Sequence, residues 1–152
     1  MQTVIDYFKN HPRREYAFES CAVELARMMD GNIAECDLTR PWRDGGRDAI
    51  GKYRVGHINH SIDVDFALEA KCKIITSGST VKETSRLISR LRHRQFGIFV
   101  TTSYVADQAY QEIIEDDHPV IIISGMDIVE ILLQHGINSK ETLSNWLESN
   151  FP

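Results

Sequence analysis

A chain of 152 residues with 42% hydrophobic content fits one domain with a core of ordinary size. It has no run of 18 apolar residues, which excludes a membrane-spanning helix, and its three cysteines lack the spacing of a disulfide framework or zinc cluster. The formal charge of -5 excludes a uniformly basic nucleic-acid binder, yet it hides an asymmetry: residues 1–37 carry -3, residues 38–94 carry +6 and residues 95–152 carry -8.

A short helix is expected over residues 3–9, before Pro12. Tyr16, Phe18, Val23, Leu25, Ala26 and Met29 give a mostly helical apolar pattern over residues 13–29, stopped by Asp30-Gly31-Asn32. Residues 33–38 read as a strand. Pro41 and the Gly45-Gly46 pair break regularity, and two strand-like runs, 48–55 and 62–72, follow with a polar turn at 56–61 between them. Ser79 or Thr80 caps the next helix, with Glu83 in its first turn and Val81, Leu87, Ile88 and Leu91 expected toward the core. A buried strand at 95–100, a helix at 105–117, a strand at 120–123 and a helix at 126–135 complete an alternation that implies right-handed parallel crossovers. A last helix over 140–149 places Leu143, Trp146 and Leu147 on one face. The fold class expected is α/β: a mixed β-sheet core, hairpin plus parallel crossover strands, flanked by helices, in one domain over 1–152 with its core at about 13–133.

The chemistry concentrates at the ends of the hairpin strands. Glu69 and Lys71 stand two residues apart, so in a strand both side chains leave one face. Asp48, just beyond the glycines where the partner strand begins, supplies a second carboxylate. Magnesium prefers oxygen ligands, keeps several waters, and needs only one or two carboxylates with a carbonyl. Asp48, Glu69 and the Ala70 carbonyl form such a set. Lys71 beside it is placed to position or deprotonate a water and to stabilise developing charge. Taken alone, these residues equally fit a salt-bridged surface hairpin.

With its flanks, the pattern resembles the PD-(D/E)xK nuclease superfamily, and within it the Mrr-like restriction endonuclease catalytic domains. The residues that carry the resemblance are Phe18-Glu19, Gly45-Gly46-Arg47-Asp48, Glu69-Ala70-Lys71, the run from Phe96 to Ser103, and Ile121 to Gly125, in that order over residues 13–133. This chain departs from many Mrr-like domains in having Glu69 where they have Gln, and Arg47 rather than Pro before Asp48. The resemblance implies a restriction-endonuclease-like fold, with Asp48 and Glu69 as metal ligands, Lys71 as the catalytic lysine and Glu19 as a first-helix acid completing the site. It further implies a Mg2+-dependent DNA endonuclease, with Mn2+ substituting, that hydrolyses phosphodiesters of duplex DNA in restriction of foreign DNA.

The basic middle of the chain supplies candidate phosphate contacts: Arg43 and Arg47, with Arg40 and Trp42 nearby, and Lys82, Arg86 and Arg90 at i, i+4, i+8 on the helix after the Glu-Ala-Lys strand. Such a row is also a common solvated face. His57 and His60 lack further ligands and are not expected to bind metal. A cytoplasmic protein without membrane attachment is expected, acting as a homodimer or with a separate DNA-recognition domain. A junction or repair nuclease of the same fold, and an inactive module binding a protein partner through its acidic last third and Trp146, are the alternatives.

Overall fold

A computed structural model of the chain describes residues 1–39, 48–57, 59–91 and 93–152. The element order is α1 (Gln2–Asn10), α2 (Arg14–Met29), β1 (Ile33–Leu38), β2 (Ala49–His57), β3 (His60–Lys71), α3 (Val81–Leu91), β4 (Phe96–Thr101), α4 (Asp107–Glu115), β5 (Val120–Ile123), α5 (Gly125–Gln134) and α6 (Lys140–Asn150). The sheet order is β1-β2-β3-β4-β5. Its first two pairings are antiparallel and the next two parallel, so the expected mixed α/β architecture forms.

Two boundaries differ from the pattern in the sequence in an instructive way. The polar residues 56–61 do not form an open turn: β2 runs through His57 and β3 starts at His60, with Gly56 paired to Ser61 and His57 to His60. Polarity there reflects a hairpin end projecting into solvent, where backbone pairing continues although none of the described side chains is buried. Gly56 has φ +115, and a Cβ on it would lie 2.5 Å from the His60 carbonyl oxygen, so the hairpin closes there through a conformation that L side chains rarely adopt. On α3 the residues facing the core are Thr84, Leu87 and Leu91, while Val81 and Ile88 are only half-buried. Thr84 is buried because its hydroxyl bonds back to the Val81 carbonyl at 3.0 Å, which satisfies it without water.

The sheet is covered on both faces. The larger core takes Phe66, Leu68 and Ala70 of β3 together with Phe18, Cys21, Ala22 and Leu25 of α2 and Ile128 and Leu147 from α5 and α6. The smaller one takes Ala67 of β3 and Phe99 of β4 with Leu87 and Leu91 of α3. Period-two alternation along β3 thus sends even-numbered residues toward α2 and odd-numbered ones toward α3. At Gly97 of β4 a Cβ would come within 3.0 Å of Leu87 Cδ2 and 3.1 Å of Leu91 Cδ2. A missing side chain therefore lets α3 lie close against the sheet, which fixes the distance of its basic residues from β3.

The other end of α3 is tied down as well. The Thr80 backbone N–H donates to Glu83 Oε2 at 2.8 Å, half of a capping box, and Lys73 Nζ reaches the same carboxylate at 2.8 Å and the Gly78 carbonyl at 2.9 Å. Thr102 secures Lys73 in turn, accepting from its N–H and donating to its carbonyl, both at 2.7 Å. The loop leaving β3 is thereby locked to β4 and to the start of α3. Cys21 and Cys36 are buried and Cys72 half-buried, all three as free thiols. Among the described residues no helix is long and apolar enough to cross a membrane.

Candidate active site

Glu69 and Lys71 are odd-numbered residues at the end of β3, so they leave the sheet on the α3 side, as their spacing predicts. Lys71 Nζ lies 3.2 Å from Glu69 Oε1. Asp48 precedes β2 and is strapped to β3 by two bonds, its N–H donating to the Leu68 carbonyl at 3.1 Å and its Oδ2 accepting from the Ala70 N–H at 2.7 Å, while its carbonyl accepts from the N–H of Thr39, just after β1, at 3.0 Å. The Ala70 bond reads out hairpin register. A slip of one residue would turn both β3 side chains to the other face.

The Glu69 side chain is fully buried. Both carboxylate oxygens are closed to solvent and, among the described residues, neither meets a well-directed hydrogen bond, so the described neighbours compensate it by charge. Besides Lys71, Arg86 Nε lies 3.7 Å from Oε1 and Arg90 Nη1 3.9 Å from Oε2. Burial nevertheless dominates and pushes the Glu69 carboxyl above its ordinary range; Lys71 draws it down and the Asp48 carboxylate pushes it up again. Asp48 is also raised, first by burial, against the opposing Ala70 N–H and the charges of Lys71, Arg86 and Arg90.

A pocket of about 460 Å³ opens beside this cluster, with Glu19, Asp48, Ala70, Lys71 and Arg86 among its walls. Glu19 arrives from α2 on the opposite side of the sheet, so the pocket sits where the two faces meet at the end of β3. Its carboxyl is pushed up to about 7, first by burial and next by Asp48, with Lys71 opposing and Glu15 adding to the rise. Four of the residues singled out in the sequence therefore converge: Glu19, Asp48 and Lys71 at the pocket, and Glu69 immediately behind the Lys71 and Arg86 side chains.

The fit to a divalent cation is one of donor type. Among the described residues no three His, Cys, Asp or Glu groups form a metal cage. Asp48 and Glu69 provide two hard carboxylates within electrostatic reach of each other, with Lys71 as the cation nearest Glu69. Two carboxylates suffice for magnesium, which commonly completes its shell with water and substrate phosphate.

The basic candidates part company. Arg86 and Arg90 reach the site, whereas Lys82, exposed on the same helix, joins no ion pair among the described residues. Arg43 and Arg47, with Arg40 and Trp42, lie outside the described residues. His57 and His60 are exposed at the hairpin end. Sequence reasoning assigned Arg86 and Arg90 to phosphate but missed their pairing with Glu69, and it missed the Lys73–Glu83 tie. The i, i+4 spacing was the signal for a shared face; that the face overlies Glu69 follows only from the crossover returning α3 onto β3.

A mixed five-stranded sheet with an acid-and-lysine strand end, covered by helices on both faces, defines a protein of the restriction-endonuclease class. Residues 13–132 match the Mrr catalytic-domain model, described as a restriction endonuclease, and the chain belongs to that family. Among solved structures it is similar to the DNA modification-dependent restriction endonuclease AspBHI, with a TM-score of 0.88 and 48% identity over 97% of this chain. It is also similar to the MspJI restriction endonuclease in complex with a 27-mer oligonucleotide, with a TM-score of 0.76 and 29% identity over 98% of this chain. The chain spans 38% and 34% of the lengths of those two proteins. No curated protein matches it.

Proposed function

We propose that this chain is a metal-dependent DNA endonuclease unit that hydrolyses phosphodiester bonds of duplex DNA in restriction. The observation that carries the reading is the convergence of Asp48, Glu69 and Lys71 at the end of β3, two of them lining an open pocket and the third directly behind it. Asp48, Glu69 and the Ala70 carbonyl would hold Mg2+, or Mn2+ in its place, which when bound supplies charge neutralisation and a more acidic water.

The protein's own groups do the rest. The Ala70 N–H fixes Asp48 Oδ2, so this carboxylate is oriented before substrate arrives. Lys71 is a quarter exposed and lines the pocket, where its ammonium donates to a phosphate oxygen or orients the attacking water. Glu19, held near neutrality by burial, is placed to accept a proton or to bind a cation through water. Arg86, at the pocket wall, meets the phosphate backbone.

The likeness to AspBHI, whose description is modification-dependent, supports modified DNA as the substrate. A chain spanning about a third of such enzymes supports a separate recognition domain as the source of site choice, with a homodimer as the other arrangement proposed. The test is cleavage of modified and unmodified duplex plasmid in Mg2+, Mn2+ and EDTA. Metal-dependent nicking or linearisation is expected, with loss of about 10²–10⁴ in rate in Lys71→Ala; cleavage by Lys71→Ala at the wild-type rate refutes the reading.

A further inference from the structure

Resting on that reading, we propose that Lys73 and Glu83 are positioning residues: their ion pair sets the roll of the first turns of α3 on the sheet and so holds Arg86 where the DNA backbone meets the pocket. Glu69, Lys71 and Lys73 are alternate residues at the end of β3 and its exit. The face of α3 that carries Glu83 and, three residues on, Arg86 meets them in antiparallel order: Lys73 Nζ lies 2.8 Å from Glu83 Oε2, and Arg86 Nε 3.7 Å from Glu69 Oε1. The two pairs are unequal. Lys73 and Glu83 are 17% and 25% exposed, and Lys73 bonds both carboxylate oxygens, at 3.1 and 2.8 Å. Arg86 is 49% exposed and near the outer limit of an ion pair. The tight pair does the holding, and the loose one leaves a guanidinium able to turn to a phosphate, the two-pronged partner it prefers.

Other contacts of α3 fix different coordinates. The Ser79 N–H donates to the Tyr104 carbonyl at 2.7 Å and the Ala106 N–H to the Ser79 carbonyl at 2.9 Å, so the chain enters the helix at a set point. Leu87 and Leu91 against Gly97 set the distance from the sheet, through apolar contact that has no preferred direction. The Lys73–Glu83 bond is directional and falls in the first turn of the helix, where it fixes rotation about that entry point. Its anchor is itself held: Thr102 Oγ1 meets the Lys73 N–H and carbonyl, both at 2.7 Å, and Lys73 Nζ also donates to the Gly78 carbonyl at 2.9 Å. With its ammonium so engaged, Lys73 acts on DNA through Arg86 and not as a phosphate ligand.

The sign of one substitution tests this. Glu83→Gln removes a negative charge, which by electrostatics alone tightens DNA binding; if Glu83 positions Arg86, binding weakens instead. The measurement is fluorescence anisotropy of a short labelled duplex with the full chain in EDTA over a salt series, with folding checked by far-UV circular dichroism at the assay temperature. Glu83→Gln and Lys73→Met are each expected to raise Kd about threefold, and Lys73→Arg, which keeps the pair, to leave it at the wild-type value. Arg86→Gln raises Kd and lowers the slope of log K against log salt by about one. In that background Lys73→Met should change Kd by less than about 1.5-fold, since the residue it acts through is gone. Should Lys73→Met not fold, Glu83→Gln, which keeps a side-chain carbonyl for the Thr80 N–H, carries the test by its sign. Binding that Glu83→Gln leaves unchanged or tightens, or a Lys73→Met effect undiminished without Arg86, overturns the positioning role alone. Lack of duplex binding by the wild type, or an affinity that Arg86→Gln leaves unchanged, overturns it together with the Arg86 contact beneath it.

Discussion

Replacing Glu69 by Gln should stabilise the metal-free protein while removing a group on which the proposed chemistry depends. Two effects compete. Deleting one partner of a buried ion pair commonly costs about 3–5 kcal/mol because an uncompensated charge is left inside, whereas replacing buried charges by neutral groups is often stabilising by about 1–4 kcal/mol. The structure decides between them. Glu69 is the fully buried member, and Lys71, Arg86 and Arg90 are 26%, 49% and 24% exposed, so the groups left behind can take water while the desolvation of the carboxylate disappears. The carboxyl is raised above its ordinary range despite three cations, which means burial outweighs pairing and the charged form opposes folding near neutral pH. A glutamine carbonyl also accepts from the same donors in similar volume. A gain of about 1–2 kcal/mol is expected, a Tm rise of roughly 2–8 °C for a chain of this size. Differential scanning calorimetry at pH 7.5 in EDTA measures it. A fall in Tm would show that the three cations over-compensate Glu69 and refute the reasoning.

Glu83→Gln should cost about 1–2 kcal/mol, read as a lower Tm at neutral pH, because Lys73 and Thr80 both depend on that carboxylate. Burial pushes the Glu83 carboxyl up, but the bonds from Lys73 and Thr80 outweigh it and hold it below the ordinary value of 4.5; its stabilisation is therefore present above pH 4.5 and lost as pH falls further, so the gap between wild type and variant should close in acid, and a gap constant down to pH 3 would contradict this. Gly97→Val forces branched atoms into Leu87 and Leu91 and should cost about 1–3 kcal/mol by overpacking, with weakened duplex binding as α3 moves; a melting curve like wild type would count against the close approach. In metal-free protein the Glu19 side-chain carboxyl, followed by carbon-13 NMR, should titrate near 7 and move downward in Asp48→Asn, since Asp48 is the second cause of its rise; an unmoved titration would mean that the two carboxylates do not sense each other.

The parts of the fold legible in the chain were those set by local periodicity and punctuation. The apolar rhythm of α2 and the β-branched runs of β4 and β5 announce themselves within a few residues, whereas the capping boxes Ser124–Asp127 and Ser139–Thr142 that start α5 and α6 were not read from the sequence. The hairpin end did not, because pairing of exposed strands at His57 and His60 leaves no apolar signature. Thr84 on α3 escaped notice because a polar residue can be buried when its own helix accepts its hydroxyl.

The site divides along the same line. That Glu69 and Lys71 share a face follows from the two-residue repeat of a strand, and that Asp48 stands near them follows from hairpin pairing, so residue spacing alone determined the trio. Covalent order could not say which residues share their surroundings across the sheet. Glu19 meets the pocket because α2 packs on one face, and Arg86 and Arg90 cover Glu69 because the crossover brings α3 down on the other, close enough only because Gly97 has no side chain. Periodicity reports how a segment divides its residues between faces; which partner each face receives, and hence that a proposed metal ligand lies buried under two arginines, is settled by long-range packing.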